Sequence, residues 1–385
     1  YVTCSSTAAA PSKRGKAHPH AQARSFAGGE DMRITGIRCR RFTMHLKKPI
    51  KVASGEITSG DTVLVRLDTD TGLYGLGEGS GVPFVTGEDC GDVLAGAEKL
   101  AEAALGRSPF EIQAVHAAMD AIYTHHTAAK AAIDIALFDL MAKAAGLPLY
   151  RFLGGTNPLV ETDKTITLAS PREMAAEAAE LAARGFRYIK IKAGEDPEAD
   201  IEAVRLIREA VGPGVHLKLD ANQGWTVPVA RRVMGALGPC RIDALEQPLP
   251  SWDLQGMSSL RGALDVPVMA DESCFSPTDA MDIVRRGAAD LINIKLMKSG
   301  GIHPARQISA VTASAGVRCM LGCMTESRIG IAAAASLAAA DPNILWADLD
   351  STMFFDENDG IRGGCTVAGP DILLGGEPGL RRRGD

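Results

Sequence analysis

The period of the hydrophobic pattern changes along the chain. From 32 to about 85, apolar and polar residues alternate in "RITGIRCRRFTMHL", "DTVLVRLDTD" and "GLYGLGEGS". Turn signals such as "DTDTG" separate these runs, so they read as strands. From 89 to about 145 the spacing becomes helical, and "AAKAAIDIALFDLMAKAAG" stops at Gly146 with Pro148 beyond it. The block 32–150 therefore predicts an α+β domain, a small antiparallel sheet followed by helices.

After "RFLGG" short apolar strands alternate with amphipathic helices such as "PREMAAEAAELAARG" and "DIEAVRLIREAVG". The strands are "KTITL", "YIKIK", "HLKLDA", "DALEQP", "VMADE", "LINIK", "RCMLGC" and "ILWADLD". Strand–helix alternation implies parallel strands joined by right-handed crossovers. Eight repeats predict an α/β fold, a closed (β/α)8 TIM-type barrel over 151–350. The preceding α+β block would cap it, and a C-terminal segment, 351–385, would pack back toward the cap. Residues 1–31 are rich in Ala, Ser, Lys/Arg and His. They lack apolar periodicity and the roughly 7–15-residue apolar core of a secretory signal. They read as a disordered extension or an upstream read-through, with Met32 the expected start and a basic transit-like segment the lesser reading.

Composition narrows the classes. The 385 residues are 46% hydrophobic and 23% charged, with a net charge of −6. No basic stripe suggests nucleic acid, and no apolar run approaches the roughly 18 residues of a membrane span. The eight cysteines are scattered without a CxxC pair, so a disulfide framework is not indicated and a reducing cytoplasm is the expected setting.

Polar residues recur at the C-terminal ends of the barrel strands: Lys192, Asp220, Glu246, Asp271, Lys295, Cys323 and Asp350, spaced 24–28 residues apart. That is one βα unit, so all converge at one mouth, where active sites of this fold lie. Asp220, Glu246 and Asp271 together would repel, and a hard divalent cation resolves the repulsion. Oxygen ligands alone favour Mg2+ or Mn2+. The plainer reading makes them N-caps of the following helices.

In "YIKIK", alternation turns Lys190 and Lys192 to the same face. A free lysine, with a pKa of about 10.4, is too basic to act as a base at neutral pH. A neighbouring ammonium, a nearby dication and desolvation lower it, so Lys190 reads as the charged partner of a base, Lys192. The plainer reading is two solvated lysines on an edge strand. Lys295 ends strand six, across the barrel. Two lysines on either side of a metal suit removal and return of a proton on a carbon next to a carboxylate, through an enediolate.

"YIKIK", "LDANQGW", "EQP", "MADES", "DLINIKLMKSGGI" and "GCMTESRIGI" closely resemble the enolase superfamily in its muconate-lactonizing branch, over nearly all of 32–385. The resemblance implies Mg2+ on Asp220, Glu246 and Asp271, with Lys192 and Lys295 as the acid/base pair. It allows a homo-oligomer. The branch includes muconate cycloisomerases, o-succinylbenzoate synthases, N-acylamino-acid racemases and dipeptide epimerases. "WADLDS" places Asp348 and Asp350 on one face, and this Asp-x-Asp is similar to that of dipeptide epimerases, where it holds the substrate's α-ammonium. The substrate implied is a dipeptide. Thr165 matches a family substrate contact. Cys323 stands where the family usually has Ser, and Thr325 joins it at the pocket. Asn222 and Glu326 are assigned supporting roles behind the metal ligands and lysines.

One departure bears on specificity. Ala-Glu epimerases carry an arginine in the capping loop, and "KKPIKVASGEIT" aligns Gly55 there, so a substrate with an uncharged second residue is expected. His303 reads as a surface residue, His125 and His126 as members of a cap helix, and "GLGEGSG" as part of the cap sheet rather than a phosphate loop. A barrel that binds small ligands without catalysis is the reading from a different class.

Overall fold

The computed structural model describes residues 32–356, 361 and 363–380; the extension expected over 1–31 lies outside them. In the cap, the strand Gly60–Thr69 is central, paired antiparallel with Ile34–Met44 on one side and Tyr74–Gly79 on the other. A short hairpin, Ile50–Val52 with Gly55–Ile57, reaches out between the first two of these strands in sequence.

The cap helix Thr127–Ala144 is buried on all sides rather than along one stripe. It packs on the strand Tyr74–Gly79, on the helix Cys90–Leu100 and on the barrel segment Leu296–Ser299. Its alanines let the sheet come close. A Cβ at Gly75 or Gly77 would lie 2.1 Å from the carbonyl oxygen of Ala136 or 1.9 Å from that of Ala132. The alternating glycines of "GLGEGSG" thus form the floor on which the helix lies, because any side chain there would push the backbones apart. His125 and His126 are not in a helix. They lie in the link between the helices Ile112–Ile122 and Thr127–Ala144, with His126 at the N-cap in a left-handed conformation, φ 59°. His303, half-buried, gives its backbone N–H to Asp134, and its ring lies 4.9 Å from that of His116.

The barrel strands are, in order, Lys164–Ile166, Tyr188–Lys192, His216–Asp220, Ile242–Glu246, Val268–Ala270, Leu291–Lys295, Arg318–Gly322 and Ile344–Asp348. Each pairs in parallel with the next. The first and fifth are shorter than the sequence pattern suggests, so Asp271 stands just past its strand, and Asp350 stands two residues past the eighth. The seam between strands eight and one is narrow. It is made by a single bridge, Thr162 to Ala347, with Asp163 N–H donating to Ala347 O at 3.1 Å and Leu349 N–H to Thr162 Oγ1 at 2.8 Å. Inside, Ala244, Met269, Leu291, Met320 and Trp346 form an apolar floor. Beyond the barrel, Cys365–Ala368 pairs with Asp371–Leu374, which pairs with Leu159–Glu161, and Leu380 N–H donates to Asp139 of the long cap helix at 2.7 Å. Among the described residues no helix is long and apolar enough to cross a membrane.

Candidate active site

Strands three, four and five bring one oxygen each from Asp220, Glu246 and Asp271 to within 4.8 Å of one another, and all three residues are fully buried. The donor set is carboxylate oxygen alone, which suits a hard divalent cation such as Mg2+. Glu246 Oε2 supports the fit: it lies 2.9 Å from Lys190 Nζ, yet makes no hydrogen bond of proper geometry. Burial and neighbouring Asp220 push Glu246 up to about 7, a crowding of negative charge that a cation relieves.

Lysines already offset part of that charge, an arrangement the strand pattern did not reveal. Lys190 Nζ lies 3.0 Å from Asp220 Oδ2, 2.9 Å from Glu246 Oε2 and 2.8 Å from Asp348 Oδ2. Burial opposes its charge, but Asp220, Asp348 and Glu246 hold its pKa well above the ordinary value, so it is a fixed cation tying strands three, four and eight together. Lys192 Nζ donates to Asp220 Oδ2 at 2.7 Å and to Asn222 Oδ1 at 2.9 Å. Lys295 Nζ donates to Asp271 Oδ2 at 2.8 Å. Burial works against the Lys295 charge too, and Asp271 outweighs it, so with the protein's own charges this lysine is held above its ordinary range. Asp271 is correspondingly held low: burial would raise it, but Lys295 and Lys298 prevail.

Lys192 and Lys295 stand on strands two and six, four apart in a ring of eight and so on opposite walls. Asn222, next to Lys192, also donates to Glu272 at 3.1 Å. Glu326 does not reach a lysine by a hydrogen bond. Its Oε1 accepts from Met324 N–H at 2.8 Å, and its backbone exchanges hydrogen bonds with Ser351 Oγ, so it shapes its own loop. Burial pushes it up to about 8.

The eighth strand supplies the second acidic group. Asp348 Oδ2 accepts from Lys190, Oδ1 lies 3.4 Å from Thr165 Oγ1, and the carboxylate is also hydrogen-bonded to the Asp163 side chain. Asp350 Oδ2 accepts from Lys164 Nζ at 3.0 Å and from Thr165 N–H at 2.7 Å. Each carboxylate therefore spends one oxygen on a protein cation, Asp348 on Lys190 and Asp350 on Lys164. Cys323 and Thr325 line the same cavity; Thr325 Oγ1 lies 3.0 Å from Ser80 Oγ of the cap, and burial pushes the Cys323 thiol well up. The opposite wall comes from the cap and is apolar apart from Ser54: Ile50, Val52, Ile57, Val82, Phe84 and Val85. Among the described residues no arginine lines the cavity, and a Cβ on Gly55 would meet the Phe84 ring at 2.9 Å. A wider groove nearby, bounded by Lys47, Glu177, Arg184 and Met353, contains none of the carboxylate triad.

Sequence reasoning missed several members. Asn293 Nδ2 donates to Glu246 at 2.7 Å, and Lys298 Nζ to Asp271 Oδ1 at 2.5 Å. Lys164 holds Asp350, with Phe354 under its ammonium. Asn293 was open to detection, since it sits two residues before Lys295 and so shares its face. Lys164 was not, because its partner is 186 residues away.

Comparison with known proteins agrees with this geometry. Residues 34–154 match the mandelate racemase / muconate lactonizing enzyme N-terminal domain, and residues 173–380 match the enolase C-terminal domain-like family. The chain is 45% identical over 351 residues to the hydrophobic dipeptide epimerase of Enterococcus faecalis, covering 91% of this chain and 99% of that protein. The structure of the E. faecalis dipeptide epimerase with Mg and L-Leu-L-Tyr superposes with a TM-score of 0.89 at 44% identity, over 90% of this chain and 99% of that one. The substrate-liganded L-Ala-D/L-Glu epimerase of Bacillus subtilis superposes at 0.88 with 39% identity, over 91% and 99%. The N-succinyl Arg/Lys racemase of Bacillus cereus superposes at 0.87 with 32% identity, over 90% and 94%. With both domains matched in order around an intact carboxylate triad and its facing lysines, the chain belongs to the mandelate racemase/muconate-lactonizing enzyme family of the enolase superfamily.

Proposed function

We propose that this protein is a Mg2+-dependent dipeptide epimerase that inverts the α-carbon of the C-terminal residue by 1,1-proton transfer. The observation that carries the reading is the pairing, at one mouth, of the triad and its facing lysines with a second carboxylate pair, Asp348 and Asp350, both lining the cavity. Asp220, Glu246 and Asp271 would hold the ion, which supplies Lewis-acid stabilisation of the negative charge that develops on the substrate carboxylate. Lys192 takes the α-proton on one face and Lys295 returns one on the other, or the reverse. Asp348 and Asp350 bind the α-ammonium, with Thr165 between them. A free ammonium separates this substrate from muconate, succinylbenzoate and acylated amino acids, which lack one.

The side chains the pocket favours follow from the cap. Phe84 and its aliphatic neighbours face the cavity and, among the described residues, no arginine does, which supports dipeptides with uncharged, apolar side chains over Ala-Glu. A mass-spectrometric screen of dipeptide pools with Mg2+ in D2O tests the proposal. The epimerase reading requires exchange of the second residue's α-hydrogen, strongest for apolar pairs. Equal turnover of N-acyl amino acids and free dipeptides would replace it with an N-acylamino-acid racemase.

A further inference from the structure

Beneath the mouth lies a buried charged pair that the proton transfer does not use. Lys218, on the third barrel strand, is 1% exposed, and its ammonium rests on the apolar floor, 3.1 Å from Met320 Sδ and 5.5 Å from the centre of the Trp346 ring. Its carboxylate partner is Asp163, also 1% exposed, which touches it as an ion pair. Asp163 stands at the seam where the barrel closes. Its N–H donates to the carbonyl of Ala347, the residue before Asp348, and the side chains of Asp163 and Asp348 are hydrogen-bonded to each other. From floor to mouth the charges run Lys218, Asp163, Asp348, Lys190, and Lys190 touches the triad.

A buried ion pair of this kind is a poor device for stability, since well-packed apolar residues often serve as well. Its position suggests another task. The charge of Lys218 also acts on Asp348. Burial, then Asp348, hold Asp163 well above the usual carboxylate range against the pull of Lys218. Burial would raise Asp348 as well, but Lys190 and Lys218 hold it low.

We propose that Asp163 is a positioning residue: it stands beside Asp348 and occupies Lys218, so that Lys218 does not compete with the substrate ammonium for Asp348. The proposal rests on the dipeptide epimerase reading. Without Asp163, Lys218 turns to Asp348 and competes with the substrate. If it held Asp348 nine-tenths of the time, apparent affinity would fall about tenfold.

The test uses the full chain with Mg2+ and L-Ala-L-Leu, following α-hydrogen exchange in D2O. Asp163→Val should raise KM about tenfold while leaving kcat within about threefold. Asp163→Val/Lys218→Met removes the competitor along with its guard and should return KM to within about threefold of wild type. An unchanged KM in Asp163→Val, or a loss of kcat with no KM split, overturns the proposal. So does a double variant whose KM stays high, and this arm decides the matter even if the single variant fails to fold. Should the wild type exchange no dipeptide α-hydrogen, the epimerase reading falls and takes this inference with it. If the wild type exchanges and the variants behave otherwise than stated, only the inference falls.

Discussion

The two walls of the cavity are built on opposite principles. The barrel wall is charged: Lys190, Lys192, Lys295, Asp348 and Asp350 face the cavity, each held by a partner on another strand. The cap wall contributes Ile50, Val52, Ile57, Val82, Phe84 and Val85 with Ser54 among them, and, among the described residues, no ionisable side chain. A parallel barrel fixes its inward side chains within a rigid ladder, so reacting groups set there keep their spacing. The cap hairpin Ile50–Val52/Gly55–Ile57 belongs to no larger sheet and accepts substitution without disturbing that ladder. Chemistry therefore sits on one wall and selectivity on the other. A change on the barrel wall should alter the rate with every substrate, and a change on the cap wall should alter the ranking of substrates.

The largest expected effect is at the triad. Glu246→Gln puts a neutral amide in a hard-cation site and should abolish exchange for all dipeptides while circular dichroism stays native. Full activity after EDTA treatment would refute the metal assignment. Next come the lysines. Lys192→Ala should stop exchange from one configuration of the α-carbon, and Lys295→Ala from the other. Equal residual exchange of both configurations in both variants would contradict a proton transfer with one base per face.

A smaller effect is expected at the ammonium site. Losing one partner of a buried charge-assisted pair costs on the order of 3–5 kcal/mol. Asp350→Asn should therefore lower kcat/KM for free dipeptides at least about a hundredfold, at roughly 1.4 kcal/mol per tenfold. N-acetylating the dipeptide should cost the wild type as much, and a much smaller penalty for the acetylated substrate would remove the ammonium from the account. The smallest change tests the cap wall. Phe84→Ala should lower kcat/KM for Ala-Leu about tenfold and leave Ala-Ala within about threefold, since only the larger side chain reaches the ring. A uniform loss across both substrates would mean that the two walls do not divide the work.

Much of the barrel wall could be read from the chain, because two local rules act together. Alternation on a strand decides which residues face inward, and one βα unit per repeat decides which of them reach the same end. Those rules bring Lys192, Asp220, Glu246, Asp271 and Lys295 to one mouth with no knowledge of their contacts. The cap wall was less legible. Gly55 pointed to a missing arginine, but the Phe84 ring packed against it became visible only when two segments of the cap met.

What the sequence by itself determined is the order of the elements, the inward faces of the barrel strands and the set of carboxylates and lysines at their ends, since each follows from the period of a short segment. The tertiary structure alone decided the partners. Lys190 reaches Asp348 across 158 residues, and Lys164 reaches Asp350 across 186. Asp163 comes beside Asp348 only because strand eight returns to strand one. Closure of the barrel sets these distances, and no local period encodes where a ring closes. For the same reason the glycines of "GLGEGSG" showed their use only in three dimensions, where the backbone of a cap helix lies too close for any side chain.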